Sequence, residues 1–143
     1  MSATVEATSI ANRVPSVTLN FWLIKLMAVT MGETAADYLA VNLGLGLTKT
    51  SVLMAAVLAI AMLIQVSQKR YVPWSYWVSV VLISIVGTLV TDNLVDNFGV
   101  KLTTTTVIFS VALALTFHAW FWRERTLSIH SIFTNRREVF YWL

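Results

Sequence analysis

Gly32 to Val52 reads GETAADYLAVNLGLGLTKTSV, and Gly87 to Val107 reads GTLVTDNLVDNFGVKLTTTTV. The second stretch repeats the first 55 residues later, without a gap: Gly32 meets Gly87, Asp37 meets Asp92, Leu39 meets Leu94, and Asn42 meets Asn97. Gly44 meets Gly99, Leu47-Thr48 meets Leu102-Thr103, Thr50 meets Thr105, and Val52 meets Val107. Trp22 and Trp77 keep the same register upstream. A frame of G-x4-D-x-L-x2-N-x-G-x2-L-T-x-T-x-V kept this closely marks an internal duplication. In each copy it joins two apolar runs, and it carries most of the acidic residues.

Composition sets the class. The 143 residues are 57% hydrophobic and 12% charged, against about 25% charged in a soluble domain. The mean hydropathy is +0.74, and the long apolar runs point to an integral membrane protein. The net charge of +3 fits the cytoplasmic bias of Lys and Arg in membrane loops. No nucleic-acid motif is present. The chain has no cysteine, which removes disulfides, thiol chemistry and thiolate metal sites.

Four spans are expected, all helical. They cover about 17–40, 50–67, 74–93 and 103–122, each long enough for a hydrocarbon core of about 30 Å. Two parallel helix hairpins of period 55 residues result: 17–71 and 72–126, after an expected flexible cytoplasmic tail over 1–16 and before a cytoplasmic tail over 127–143. Asn42-x-Gly44 and Asn97-x-Gly99 read as turns, Thr48 and Thr103 as helix caps, and Pro73 as a helix start. Ala28, Gly32, Ala36 and Ala40 recur every fourth residue as a small-residue packing stripe.

Charge sets the topology. Arg13, Lys69, Arg70, Arg123, Arg125, Arg136 and Arg137 lie outside the spans on one side, and Lys49 and Lys101 on the other. Basic loops stay cytoplasmic, so both termini are expected inside a bacterial inner membrane and both frames outside. Each copy has two spans, so the copies enter in the same direction. Tyr141-Trp142 follows Arg136-Arg137 as Tyr76-Trp77 follows Lys69-Arg70. A third copy is therefore expected to begin where the chain stops, making it a fragment or a natural half-length form.

The candidate chemistry lies in the frames. Glu33 and Asp37 are four apart, as are Asp92 and Asp96, so each pair shares a helix face. With Asn42, Asn93 and Asn97 they gather four carboxylates and three amides near the outer side. Like charges on one face repel and recruit a cation, and hard oxygen donors suit Mn²⁺, Mg²⁺ or Ca²⁺. Glu33, Asp37 and Asp92 are the expected metal or proton-coupling carboxylates, with Asp96, Asn42 and Asn97 in support. The Asn, Gly and Thr positions also read as caps and turns. Lys25 lies about 9 Å inside the cytoplasmic edge by helix rise; it reads as a snorkelling lysine or as half of an ion pair. His118 reads as a packed residue or a proton relay, and His130 is assigned no role. No catalytic residue and no enzyme are expected, because no nucleophile motif, HExxH or phosphate loop occurs.

At Gly32-Glu33-Thr34-Ala35-Ala36-Asp37-Tyr38, Asn42-Leu43-Gly44-Leu45-Gly46, Thr91-Asp92-Asn93 and Arg125-Thr126-Leu127-Ser128-Ile129-His130-Ser131, the chain resembles a bacterial family of multi-pass proteins described as uncharacterised membrane-anchored proteins. The resemblance runs from Val14 onward. It implies that the chain corresponds to the N-terminal half of a protein about twice as long, and it implies no activity. The function expected from the residues is transport or permeation of a cation. The alternative is a non-catalytic accessory subunit, docked through Ala28, Gly32 and Ala36. The expected partners are the lipid bilayer and a second copy or another membrane subunit, with no nucleic acid.

Overall fold

The structure is a computed structural model that describes residues 13–128, 132 and 134–143. Residues 1–12 of the expected N-terminal tail, and His130 of the C-terminal one, lie outside the described residues. The described residues are helical, with no strand. Helix α1 (Leu19–Asp37) runs into a π-helical turn (Tyr38–Asn42), and α2 (Leu47–Ser67) follows. Helix α3 (Pro73–Asp92) runs into a second π-turn (Asn93–Asn97), followed by α4 (Leu102–Glu124) and α5 (Asn135–Trp142).

Local chemistry explains the starts and stops. The hydroxyl of Thr18 accepts from the Phe21 N–H at 3.2 Å and caps α1. Pro73 opens α3, where its missing N–H costs nothing. Both first helices end alike: Leu43 N–H donates to Tyr38 O at 3.0 Å, and Phe98 N–H donates to Asn93 O at 3.1 Å. These are the same wide i→i+5 turn, one repeat apart. Each is followed by a glycine with φ of 66°, Gly44 and Gly99, where a side chain would be strained. Thr48 and Thr103 are not the caps expected of them. Gly46 and Lys101 hold those positions without a side-chain cap, while Thr50 and Thr105 each turn a hydroxyl back onto the carbonyl four residues earlier.

Among the described residues, three helical segments are long and apolar enough to cross a membrane: Leu47–Ser67, Pro73–Asn97 and Leu102–Glu124. Helix α1 is not among them; it carries Lys25, Glu33 and Asp37.

Helix α3 lies between α1 and α2 and packs on both. The small-residue stripe faces inward: Ala28, Gly32, Ala36 and Ala40 are all buried. Gly32 is the point of closest approach, because a Cβ there would lie 2.5 Å from Cβ and Oγ of Ser84. The Ser84 hydroxyl donates to Val29 O of α1 at 3.0 Å beside it. This stripe is consumed inside the chain, so it is not free to dock an accessory partner as expected. Leu47, Met54, Leu58 and Ala61 of α2 pack on a buried cluster formed by Leu82, Ile85 and Leu89 of α3 with Ala36 and Ala40. Helix α4 stands largely apart and buries only Thr105 and Trp120. The foot of the molecule is a cluster of Val14, Phe21, Tyr76, Val80 and Ile132, with Tyr141 and Trp142 of α5 packed on it. Arg13 and Val14, two residues of the expected tail over 1–16, are buried against this end.

The two repeat-equivalent glycines make opposite predictions. Gly32→Leu forces a side chain into Ser84 and is expected to lower stability by roughly 1–3 kcal/mol. A Cβ added at Gly87 would meet nothing within 4 Å, and Gly87→Ala is expected to hold or raise stability through helix propensity. Thermal unfolding of the two variants in one detergent checks the contrast.

Candidate functional site

At the end of the molecule where the repeated frames lie, α1, α3 and the second π-turn bring acidic groups of both copies together. Asp92 ends α3 and is half-buried. Asp37, Asp96 and Glu33 are the other acidic groups of the two frames at this end. Glu33 and Asp37 follow Gly32 and Ala36 on α1, so they flank the buried seam and are themselves exposed. Asp96 and Asn42 are exposed on the two π-turns. The expected trio Glu33, Asp37 and Asp92 is not drawn into a chelating set. Among the described residues no three of His, Asp or Glu lie close enough to hold a metal. Helical spacing put the acids on neighbouring faces; it did not close a coordination shell.

The amides have a different task. Asn93 Nδ2 donates to Ser51 Oγ of α2 at 2.7 Å and to Leu89 O at 2.7 Å. Asn97 Nδ2 donates to Asn93 Oδ1 at 2.7 Å, and Thr48 Oγ1 donates to the same oxygen at 3.3 Å. Asn97 also donates to Thr48 Oγ1 at 3.4 Å. The second π-turn is thus fastened to α2, which fixes Asp92 and Asp96 relative to the helix pair. Asn93 is the hub, although the repeated frame did not single it out; its equivalent in the first copy is Tyr38.

Two further expectations resolve simply. Lys25 sets its Nζ 5.8 Å over the Phe21 ring, and among the described residues it joins no ion pair. His118 is exposed on α4.

The opposite end holds a polar network that sequence reasoning missed. Arg13 Nη1 donates to Glu138 Oε2 at 2.8 Å and to Asn135 Oδ1 at 2.6 Å. Gln65 Nε2 donates to Glu138 Oε1 at 3.1 Å, and Ser75 Oγ donates to Gln65 Oε1 at 2.7 Å. Glu138 and Gln65 are fully buried. The network joins the approach to α1, the end of α2, the start of α3 and α5. Arg137 Nε adds an ion pair to Glu124 Oε2 at 2.7 Å. The Tyr76 and Tyr141 hydroxyls meet at 2.6 Å, and burial pushes the Tyr141 phenol above its ordinary pKa. The one local signal was Gln65, a lone amide in the aliphatic α2. The buried Arg13–Glu138 ion pair ties the approach to α1 onto α5 and makes this network a structural clamp.

A family model described as Repeat of Unknown Function (DUF347) matches the chain twice, over residues 20–71 and 75–126. The chain belongs to this repeat family, and each match holds one first helix, its π-turn and one second helix, almost whole. Comparison with curated proteins and with solved structures gave no match.

The clamp yields a stability prediction. Glu138→Leu leaves the Arg13 guanidinium buried without its partner, which is expected to cost about 3–5 kcal/mol. Arg13→Met combined with Glu138→Leu is expected to recover much of that loss, because no buried charge remains. Thermal melts of the single and double variants decide it; a double variant as weak as the single one contradicts the assignment.

Proposed function

We propose that this two-repeat member of the DUF347 family is a four-span membrane protein that passes a cation, using carboxylates at the outer ends of its first helices. The observation that carries this reading is the placement of acids of both repeats at one end of the α1–α3 seam: Glu33 and Asp37 beside the buried Gly32 and Ala36, and Asp92 at the end of α3. Like charges gathered at one end of a helix pair favour a positive charge near them. Ionisable residues kept in otherwise apolar spanning helices are functional by default.

Helix α1 serves as the fourth span. With its π-turn it is continuous from Leu19 to Asn42, and its small-residue seam lies against α3. The basic residues Arg13, Lys69, Arg70, Arg123, Arg125, Arg136 and Arg137 favour both termini in the cytoplasm of a bacterium and both frames outside. Asp92 is the central carboxylate. Glu33 and Asp37 shape the field along α1, Asp96 and Asn42 sit at the mouth, and Asn97 positions the second π-turn through Asn93. The ion is held by field and exchangeable water instead of a closed shell. Oxygen-only chemistry suits a hard cation, Mn²⁺, Mg²⁺ or Ca²⁺, or a proton.

Proteoliposomes with internal ion- and pH-sensitive dyes test this. Asp92→Asn and Glu33→Gln are expected to cut flux of the preferred ion by about tenfold or more, equivalent to ~1.4 kcal/mol. Asn42→Ala, on the exposed rim, is expected to change it far less. Full flux through folded Asp92→Asn, or no flux of any of the four ions through the unaltered protein, overturns the reading.

A further inference from the structure

One interface between the repeats is complete, and both of its halves recur elsewhere in the chain without each other. In the complete interface, Leu47, Met54, Leu58 and Ala61 of α2 pack on a buried cluster that includes Leu82, Ile85 and Leu89 of α3. It is fastened at its outer end by Asn93 to Ser51 and at its inner end by Ser75 to Gln65, both at 2.7 Å. Advancing the α2 side by one repeat gives Leu102, Phe109, Leu113 and Thr116, on α4. Moving the α3 side back by one repeat gives Met27, Thr30 and Thr34, on α1. These two stripes do not meet within the chain. Met27 is 66% exposed, Leu113 56% and Phe109 44%. The α1 stripe opens on an apolar groove of about 660 Å³ that also takes in Leu26, Met31 and Tyr38.

Exposure alone carries nothing here, because lipid covers apolar faces as readily as protein does. What points to protein is that the stripes are repeat images of the two sides of a built contact. Gly87 supports it independently: its equivalent Gly32 receives Ser84, whereas Gly87 faces open space. Helix α5 supports it at the foot. Trp120, the image of Gln65, stacks on Phe140 with centroids 6.5 Å apart, and Tyr76, the image of Phe21, packs on Trp142 at 5.2 Å. The second contact copies Phe21 on Trp77 at 5.7 Å. So α4 and α3 already accept α5 at the foot in the way that α3 accepts the opening turn of α1.

We infer that a second copy of this chain seats its α1 on α4, with Met27, Thr30 and Thr34 against Phe109, Leu113 and Thr116, at the position α3 takes on α2. Because α5 fills the foot, the entering helix engages from Met27 outward. The contact is heterologous, each copy offering α4 to one neighbour and α1 to the other, so it closes as a ring when the rotation between repeats divides a full turn. At the outer end, the image of Ser51 with Asn93 is Thr106 with Tyr38 of the neighbour. The inference does not depend on what the carboxylates carry.

The chain has no cysteine, so introduced pairs report cleanly. Thr106→Cys on one chain and Tyr38→Cys on a differently tagged chain are co-expressed, purified in mild detergent and oxidised with copper phenanthroline. A disulfide-linked dimer bearing both tags is expected, in about tenfold greater yield than from Thr104→Cys with Tyr38→Cys, because disulfides demand close and correctly directed Cβ atoms. Ser51→Cys with Asn93→Cys in one chain is expected to close internally and run as a monomer. Absence of the linked dimer while that internal pair closes overturns the inference, as does equal linking through Thr104. Failure of the internal pair to close removes the template interface and overturns it too.

Discussion

The contact of Gly32 with Ser84 is the constraint on which the arrangement depends. Only a residue without a side chain lets α1 and α3 approach until Cβ of Ser84 reaches the space a Cβ of Gly32 would fill. In an apolar solvent such close packing, not hydrophobic exclusion, is what holds helices together. It fixes the rotation of α1, and the rotation fixes the chemistry. With Gly32 and Ala36 turned inward, Glu33 and Asp37 fall one residue to the side of the seam, at the end where α3 reaches Asp92. A different face of α1 against α3 would separate the acids of the two copies.

The two copies share geometry but not fastening. Both first helices end in a π-turn and a left-handed glycine, so the frame is a structural motif before it is a chemical one. Only the second π-turn is tied to α2 by side chains, through Asn93, Asn97, Thr48 and Ser51. Its counterpart has Tyr38 where Asn93 stands, and it leaves Asn42 exposed. The duplication gives one anchored carboxylate group, around Asp92, and one more open group, around Glu33 and Asp37. Opposite them, the Arg13–Glu138 ion pair closes the foot, so polar interactions sit at both ends of the bundle and the middle is left to apolar packing.

Features that repeat or act locally were legible in the sequence. The duplication, the helical runs, the glycine turns at Gly44 and Gly99, the start at Pro73 and the packing stripe from Ala28 to Ala40 each follow from spacing or from one residue's conformational preference. The π-turns were not legible, because an i→i+5 hydrogen bond differs from an i→i+4 one in geometry and not in residue type. Neither was the clamp: Arg13 and Glu138 stand in polar segments 125 residues apart, and nothing local to either marks it as buried. The carboxylates were legible as pairs on helix faces, but how the pairs of the two copies stand to one another is a matter of three-dimensional placement that helical periodicity does not reach. The isolation of α4 was equally hidden, since its apolar run reads the same whether it faces protein or lipid.

The central claim is that both repeated frames stand at one face of the membrane, with their acids in a common field. Single cysteines at Asn42, Asn97 and Lys69, all exposed, test it most directly in a chain that has no cysteine of its own. Intact spheroplasts treated with a membrane-impermeant thiol reagent should label Asn42→Cys and Asn97→Cys at once, and Lys69→Cys only after permeabilisation. Labelling of Asn42→Cys and Asn97→Cys from opposite sides would place the two frames on different faces and contradict the account.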